Sequence, residues 1–457
     1  MLPINPEIFK AYDIRGIYGQ DFDNELAYLL GLAYVELRKS DPDYSPEKKM
    51  QIVVAGDMRL SSPDLKTNLI RGLVTAGVDV IDIGMVSTPS FYFAVGKHNY
   101  DGGLIVSASH NPKEWNGFKI VRTKGQAVSG ETGMEFLKEK VLENRFIPAQ
   151  TPGEIIEKKN ILEEELEHAL QFVDVKRIKP FKIVVDPANS MGATYLDKLF
   201  PQLPCELIKL NFNLDGTFPA HEADPLKDEN LEQIKTAVLN HGADLGITTD
   251  GDGDRVFFVD NKGEKIDPAI VRGLLAKLFL NDRPGVNIGY DVRPGKITTD
   301  LITDNGGKPI MTRVGHSLIK EQMLTENIYF AGESSGHFFL NVDNGCFEYP
   351  MIMILKLLEE FSSSEVDIHT YVQKYNKYFV SGEINRDVAD KEAVIKAIEE
   401  KYKDANIHKL DGISVEYDNF WFNVRGSNTE NKIRLNLEAI DKKTMETKRD
   451  EVLELIK

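Results

Sequence analysis

Residues 51–84 read QIVVAGDMRLSSPDLKTNLIRGLVTAGVDVIDIG. An apolar run ends in Asp57, a polar loop follows, then a stretch with helical signals, then a second apolar run. Ser62 is placed to cap a helix and Pro63 suits its first position; Gly77 stands where a helix C-terminus turns left-handed. Two other stretches repeat the pattern. Residues 181–210 read FKIVVDPANSMGATYLDKLFPQLPCELIKL, and residues 287–315 read NIGYDVRPGKITTDLITDNGGKPIMTRVG. In these the first run closes on Asp186 and Asp291. Strand, crossover helix and strand in that order predict a parallel βαβ unit. Three copies predict three related α/β domains with mixed sheets.

The tail breaks the pattern. A helix-like stretch at 391–404, strand-like stretches at 413–424 and 432–438, and a charged final helix from about Asp441 predict a smaller C-terminal α+β domain. Linker composition near TPGE (151–154) and the ends of the repeats divide the chain into 1–154, 155–262, 263–374 and 375–457. The stretch 161–176 is Glu-rich on one face, which predicts a helix with that face in solvent.

Composition bounds the function. The chain has 457 residues, enough for about three domains. It carries 55 Lys and Arg against 72 Asp and Glu, a net charge of −17. Long-range repulsion then disfavours nucleic acid or an anionic membrane as partner, so an anionic substrate needs positive charge gathered locally. Two cysteines, Cys205 and Cys346, cannot build a disulfide framework and fit a reducing compartment. No basic n-region leads an apolar core at the start, and the uncharged run 83–96 is too short to span a bilayer. The expectation is a cytoplasmic protein, monomer or homodimer.

The most specific chemical signal is Asp250-Gly251-Asp252-Gly253-Asp254-Arg255, between the apolar runs 243–248 and 256–260. Carboxylates at alternate positions of an extended chain share a face, and the glycines let the loop curl them inward. Two such charges ~4 Å apart repel by about 4 kcal/mol at an effective dielectric near 20, so three call for a cation. All-oxygen ligation selects Mg²⁺ or Ca²⁺. An EF-hand would need Gly at the sixth position and Glu at the twelfth; Arg255 and Asn261 stand there. Three carboxylates beside an Arg suit Mg²⁺.

Five other loops carry candidate chemistry. Ser107-Ala108-Ser109-His110-Asn111-Pro112 follows an apolar run and precedes Asn116-Gly117-Phe118-Lys119. A Ser hydroxyl there can be a nucleophile or a phosphate ligand, but no G-x-S-x-G elbow is present, and His110, adjacent in sequence, is expected to diverge from it. In Gly332-Glu333-Ser334-Ser335-Gly336-His337, Glu333 and Ser335 share a face if the loop is extended and suit sugar hydroxyls. Arg425-Gly426-Ser427-Asn428-Thr429 gathers donors for a phosphate. Arg15, in Ala11-Tyr12-Asp13-Ile14-Arg15-Gly16, and His316, in Arg313-Val314-Gly315-His316-Ser317, complete the set. Ser109, Asp250, Glu333 and Arg425 fall one to each expected domain and can meet only in a central cleft.

The ordered motifs KAYDIRG, SASHNP, NGFK, DGDGDR, RVGHS, GESSGH and RGSNT resemble those of the α-D-phosphohexomutase superfamily, nearest its bacterial and archaeal phosphomannomutase/phosphoglucomutase branch. The likeness runs from residue 9 to beyond 429. It implies four domains around a deep cleft. It implies interconversion of hexose 1-phosphate and 6-phosphate, of mannose or glucose, through a phosphoserine and a bisphosphorylated sugar, which also serves as activator. Ser109 would carry the phosphoryl group, and Asp250, Asp252 and Asp254 would hold Mg²⁺ with it. Arg15, His110, Lys119, Arg255 and His316 match acid/base or charge-stabilising positions. Tyr12, Arg293, Glu333 and Ser335 match substrate-binding positions, and Arg425, Ser427, Asn428 and Thr429 the phosphate clamp. Ser334, Glu430-Asn431 and Arg293 depart from common family residues and bear on sugar preference rather than chemistry. Transfer of this kind rests on alignment and charge. A clamp that must grip either phosphate suggests a fourth domain that swings. The rivals are phosphoglucosamine mutase, a metal-dependent sugar-phosphate phosphatase and a non-catalytic sensor.

Overall fold

The computed structural model describes residues 2–293, 295–426 and 432–456. Its first sheet contains β1 (Ile14–Ile17), β2 (Gln51–Gly56), β3 (Asp79–Met85), β4 (Gly103–Val106), β5 (Trp115–Val121) and β6 (Ile155–Glu157), in the order β1-β5-β4-β2-β3-β6. β2 runs parallel to β3 and β4, while β5 is antiparallel to β4 and β1, so the sheet is mixed. The second sheet has β7 (Lys182–Asp186), β8 (Glu206–Lys209), β9 (Leu245–Thr249) and β10 (Val256–Asp260), ordered β10-β9-β7-β8. β7 is parallel to β8 and β9, and β10 is antiparallel to β9. In the third segment, β11 (Asn287–Asp291) lies parallel to both β12 (Lys308–Thr312) and β13 (Ile328–Gly332). β14 (Phe338–Val342) and β15 (Gly345–Glu348) form an antiparallel hairpin.

The C-terminal sheet comprises β16 (Phe379–Asp387), β17 (Asn406–His408), β18 (Ile413–Glu416), β19 (Phe420–Gly426) and β20 (Lys432–Ala439), ordered β16-β20-β19-β18-β17 and antiparallel throughout. Helices Lys391–Lys401 and Lys442–Leu453 supply Val394, Ile398, Met445 and Val452 to its core. Three α/β segments and a smaller α+β segment are thus present. The three repeats each form a parallel βαβ unit: β2 and β3 around helix Ser62–Thr75, β7 and β8 around Gly192–Leu199, β11 and β12 around Lys296–Asp304.

Four local expectations need correction. Ser62 does not cap its helix: it is the first helical residue, and its Oγ donates to Asp57 Oδ1 at 2.5 Å. The buried carboxylate outcompetes the helix end for that hydroxyl. The 161–176 helix stops at Leu170, and a separate 3₁₀ turn, Val175–Arg177, starts with Asp174 accepting from Lys176 N. The 391–404 helix ends at Lys401. The 413–424 stretch is two strands, β18 and β19, because the chain reverses at Tyr417–Phe420, where Tyr417 N donates to Phe420 O at 2.9 Å. Gly77 does take the left-handed conformation, with φ 87°.

The chain divides into two compact units, residues 2–265 with 337–369, and residues 266–336 with 370–456. No helix among the described residues is long and apolar enough to cross a membrane.

In the first unit Glu165 is buried on helix Ile161–Leu170, and its Oε2 accepts from Ser90 Oγ at 2.5 Å. Burial pushes its carboxyl up to about 7 from the ordinary 4.5, and the Ser90 hydrogen bond offsets only part of that. A raised carboxyl pKa means that the folded state keeps the proton longer than the unfolded chain. This contribution to stability is complete below pH 4.5 and is lost as pH rises through about 7. Glu165→Gln is therefore expected to change the melting temperature little at pH 5 and to stabilise the protein at pH 8 by about 3 kcal/mol. Thermal melts of both proteins across that range check it.

Candidate active site

Ligand-bearing loops in parallel sheets follow the carboxyl ends of strands, where the turn into the next element exposes side chains and backbone together. In the first unit, β4 ends before Ser109, β9 ends before Asp250 and β2 ends before Asp57. In the second, β11 ends at Asp291, β12 precedes His316 and β13 precedes Glu333. The candidate residues therefore form two groups, one within each unit.

In the first unit, Ser109 is 2% exposed and has φ 50°, a left-handed conformation costly for a residue with a Cβ. Its amide donates to Ser107 Oγ at 3.1 Å. Its Oγ donates to Asp250 Oδ2 at 2.9 Å and lies 3.2 Å from His110 Nδ1. The expected divergence of Ser109 and His110 does not hold, because the left-handed twist at Ser109 turns the two adjacent side chains together. The 250–254 segment is a turn rather than an extended run: Gly253 N donates to Asp250 O at 3.2 Å, and Gly253 has φ 76°. The turn converges the carboxylates that an extended chain would only have aligned. A Cβ on Gly251 would sit 2.2 Å from Ser109 O, so only glycine lets this turn approach the serine loop.

Asp250, Asp252 and Asp254 are buried, with one oxygen of each within 4.8 Å of the others. Lys119 Nζ, on β5, lies 2.5 Å from Asp252 Oδ2 and 2.6 Å from Asp254 Oδ2. Burial and then the charges of Asp254 and Asp252 hold the Asp250 carboxyl well above the usual range. Asp252 is held well below it: burial opposes ionisation, but Lys119 outweighs that penalty. The same ion pairs hold the Lys119 ammonium well above its ordinary value against the effect of burial. Burial, then Arg255 and Arg15, push His110 well below the ordinary histidine value, so its ring is neutral. Asp252 Oδ1 and Asp254 Oδ1 are buried without a hydrogen-bond partner. Two orphaned oxygens in an all-oxygen donor set, beside a serine hydroxyl, fit a hard divalent cation.

Arg15, on β1, pairs with Asp13 at 2.7 Å and donates to Asn111 Oδ1 at 2.8 Å, which ties it to the serine loop. Arg255 N donates to Asp250 Oδ1 at 3.1 Å, and Arg255 Nε donates to His337 Nε2 at 3.0 Å. Two residues outside the expected set belong here. Thr88 Oγ1 donates to Asp252 Oδ2 at 2.6 Å, and Thr88 N donates to Asp252 O at 3.0 Å. His337 Nδ1 stands 3.6 Å from Asp254 Oδ1 and 3.4 Å from Glu348 Oε1. His337 was legible as the end of the GESSGH motif; Thr88 carries no local signal.

In the second unit, Glu333 is buried with both oxygens engaged. Oε1 accepts from Gly315 N at 3.0 Å and pairs with Arg293 Nη2 at 3.2 Å, while Oε2 accepts from Ser335 Oγ at 2.6 Å. Residues 334–335 form a turn rather than an extended loop, yet Glu333 and Ser335 still meet. Arg293 Nε donates to Asp291 Oδ2 at 2.6 Å. Asp291 Oδ1 accepts from Arg272 Nη1 at 2.6 Å and from Ser334 Oγ at 3.0 Å. His316 opens helix His316–Thr325, immediately after Gly315. Arg425, near the end of β19, is 7% exposed and lies 3.4 Å from Glu383 Oε2. Burial and then repulsion from Arg293 lower its guanidinium from the ordinary value, so a buried guanidinium and a half-buried one face each other's fields. Such a pair favours an anion. Tyr12 lies half-buried in the bend before β1, in the first unit. Ser427, Asn428 and Thr429 lie outside the described residues.

Comparison with known proteins places four domain families along the chain in one order. Phosphoglucomutase/phosphomannomutase alpha/beta/alpha domain I matches residues 6–146, domain II residues 163–263, domain III residues 267–378, and the C-terminal domain residues 383–455. A phosphomannomutase of Vibrio cholerae is 38% identical over 98% of this chain and 97% of its own. One from the archaeon Methanocaldococcus jannaschii is 38% identical over the same shares. A crystal structure of a phosphoglucomutase/phosphomannomutase family protein from Burkholderia thailandensis superposes with a TM-score of 0.88 at 31% identity, covering 99% of this chain and 97% of that one.

Proposed function

The chain belongs to the phosphoglucomutase/phosphomannomutase family, and from that premise we propose that it interconverts the 1- and 6-phosphates of mannose or glucose through a phosphoserine at Ser109. The observation that carries this is the Ser109 hydroxyl 2.9 Å from Asp250 among three buried carboxylates. A Mg²⁺ ion held by Asp250, Asp252, Asp254 and Ser109 would supply positive charge to the oxygens of the transferring phosphoryl group.

The chain's own residues do the rest. The Ser109–phosphorus bond breaks as a sugar hydroxyl oxygen bonds to phosphorus; the hydroxyl loses its proton and Ser109 Oγ regains one. The product is a bisphosphorylated hexose, which turns over and returns its other phosphoryl group to Ser109. In that return step His110 Nδ1, 3.2 Å from Oγ, is within reach to take the Oγ proton. Lys119, Arg15 and Arg255 add fixed positive charge near Ser109 and the carboxylates. Glu333 and Ser335 would read sugar hydroxyls, with Tyr12 and Arg293 binding the substrate and His316 serving acid/base or charge-stabilising work. Arg425, Ser427, Asn428 and Thr429 would grip the phosphate that is not reacting. The bisphosphorylated hexose serves as activator by loading Ser109. The division 1–154, 155–262, 263–374 and 375–457 assigns one loop of this machinery to each domain, and the two cysteines of the chain support a reducing, cytoplasmic location.

Coupled assays with mannose, glucose and glucosamine 1-phosphates side by side test the reading. Mannose or glucose 6-phosphate is the expected product, with no release of inorganic phosphate. Dominant turnover of glucosamine 1-phosphate would move the enzyme to the neighbouring sugar class. Inorganic phosphate as main product would make it a hydrolase and overturn the proposal.

A further inference from the structure

Arg59 lies two residues after the Asp that closes β2, as Arg293 does after β11. It is 1% exposed, deep in the first unit. Its Nη1 donates to Pro112 O at 2.7 Å and to Trp115 O at 3.0 Å; its Nη2 donates to Ser109 O at 2.8 Å and to Asn111 O at 2.6 Å. One guanidinium thus gathers four carbonyls of the loop that carries Ser109. Asp57 stands behind it, 3.3 Å from Nε, and accepts from the Arg59 amide at 3.0 Å. The Phe218 ring covers it at 5.0 Å.

We propose that Arg59 is a positioning residue for phosphoryl transfer: it collects the carbonyls of residues 109–115 and thereby holds Ser109 left-handed with Oγ turned to Asp250. The proposal rests on the mutase reading above and names a residue outside its machinery.

The argument is geometric. Four carbonyls converging on one point would repel one another and splay, and a planar cation with paired N–H groups on both terminal nitrogens is the side chain that can satisfy all four. Ser109 O is held between Arg59 Nη2 and the Gly251 backbone, so the peptide that carries the strained φ cannot rotate away. With the carbonyl fixed on one side, the side chain is directed to the other, where Asp250 accepts its hydroxyl. The Asp-x-Arg pattern recurs in the second unit, where Arg293 pairs with the carboxylates of Asp291 and Glu333 rather than with loop carbonyls. In the second repeat Ala188 stands at the Arg position, and Asp186 pairs instead with His221 at 3.0 Å.

Arg59→Lys and Arg59→Ala in the full chain test this. A lysine ammonium cannot span four carbonyls, so both variants are expected to lose about 10²-fold in kcat per folded molecule, with KM changed by less than about threefold. The rate at which glucose 1,6-bisphosphate phosphorylates Ser109, read by intact mass, should fall in parallel. Added methylguanidinium should partly restore Arg59→Ala. Amide exchange across 107–117 should quicken in both variants, and this readout does not depend on any substrate. A parent enzyme inactive on every hexose phosphate would sink the mutase reading, while unchanged exchange across that loop would sink this one. The proposal is also overturned by kcat per folded molecule within about threefold of the parent, by a rise in KM alone, or by failure of both variants to fold.

Discussion

Ser109→Ala is expected to fold and to lose sustained mutase turnover by at least about a thousand-fold, the scale seen when a covalent nucleophile is removed. The hydroxyl is the one atom of Ser109 that meets both Asp250 Oδ2 and His110 Nδ1. Deleting it removes the phosphoryl acceptor and leaves the loop's backbone bonds to Arg59 in place. The stability cost should be about 1 kcal/mol, that of one buried hydrogen bond. Intact mass after incubation with glucose 1,6-bisphosphate should show a phosphoryl adduct on the parent and none on the variant. Undiminished turnover by the variant without bisphosphate would refute the nucleophile assignment.

Asp250→Asn should move activity and stability in opposite directions. Its activity is expected to fall by about 10²-fold or more, as a metal ligand is lost. Chelation of the parent should abolish turnover, and added Mg²⁺ should restore it. The metal-free variant, however, should melt higher than the metal-free parent. Burial and the neighbouring Asp254 and Asp252 hold the Asp250 carboxyl well above its ordinary 3.8. Such a group supports the fold while protonated and loses that support as pH rises above the ordinary carboxylate range. The melting gap between variant and parent should therefore widen with pH and close when Mg²⁺ is added to the parent. A variant less stable than the parent at pH 8 without metal would show that the three carboxylates do not repel as their burial requires.

Function here is stored against stability. Three buried carboxylates, a serine in a left-handed conformation and a buried guanidinium facing a second one are each costly alone. In the proposed mechanism each becomes useful when a cation, a phosphoryl group or a phosphate arrives. This is why the strongest motifs in the chain are also those that break ordinary rules of burial.

The three βαβ repeats were legible because their signals are local: an apolar run, an Asp, a breaker-bounded helix and a second apolar run are read from neighbours within some thirty residues. The 250–255 loop was legible for the same reason, since its charge density marks a candidate cation site from neighbouring residues alone. Helix ends were less so. Ser62 gave up its capping role to a buried Asp57 that only the folded sheet brings near. Contacts between distant segments lay beyond local reading altogether. Thr88 meets Asp252 across 164 residues, and Arg59 meets the Ser109 carbonyl across 50. The meeting of Ser109 with His110 turned on a single backbone angle that the rest of the loop enforces. Periodicity and turn chemistry are properties of adjacent residues and survive in the bare chain; the aim of a side chain depends on which remote backbone its carbonyl is tied to, and that exists only once the sheets have formed.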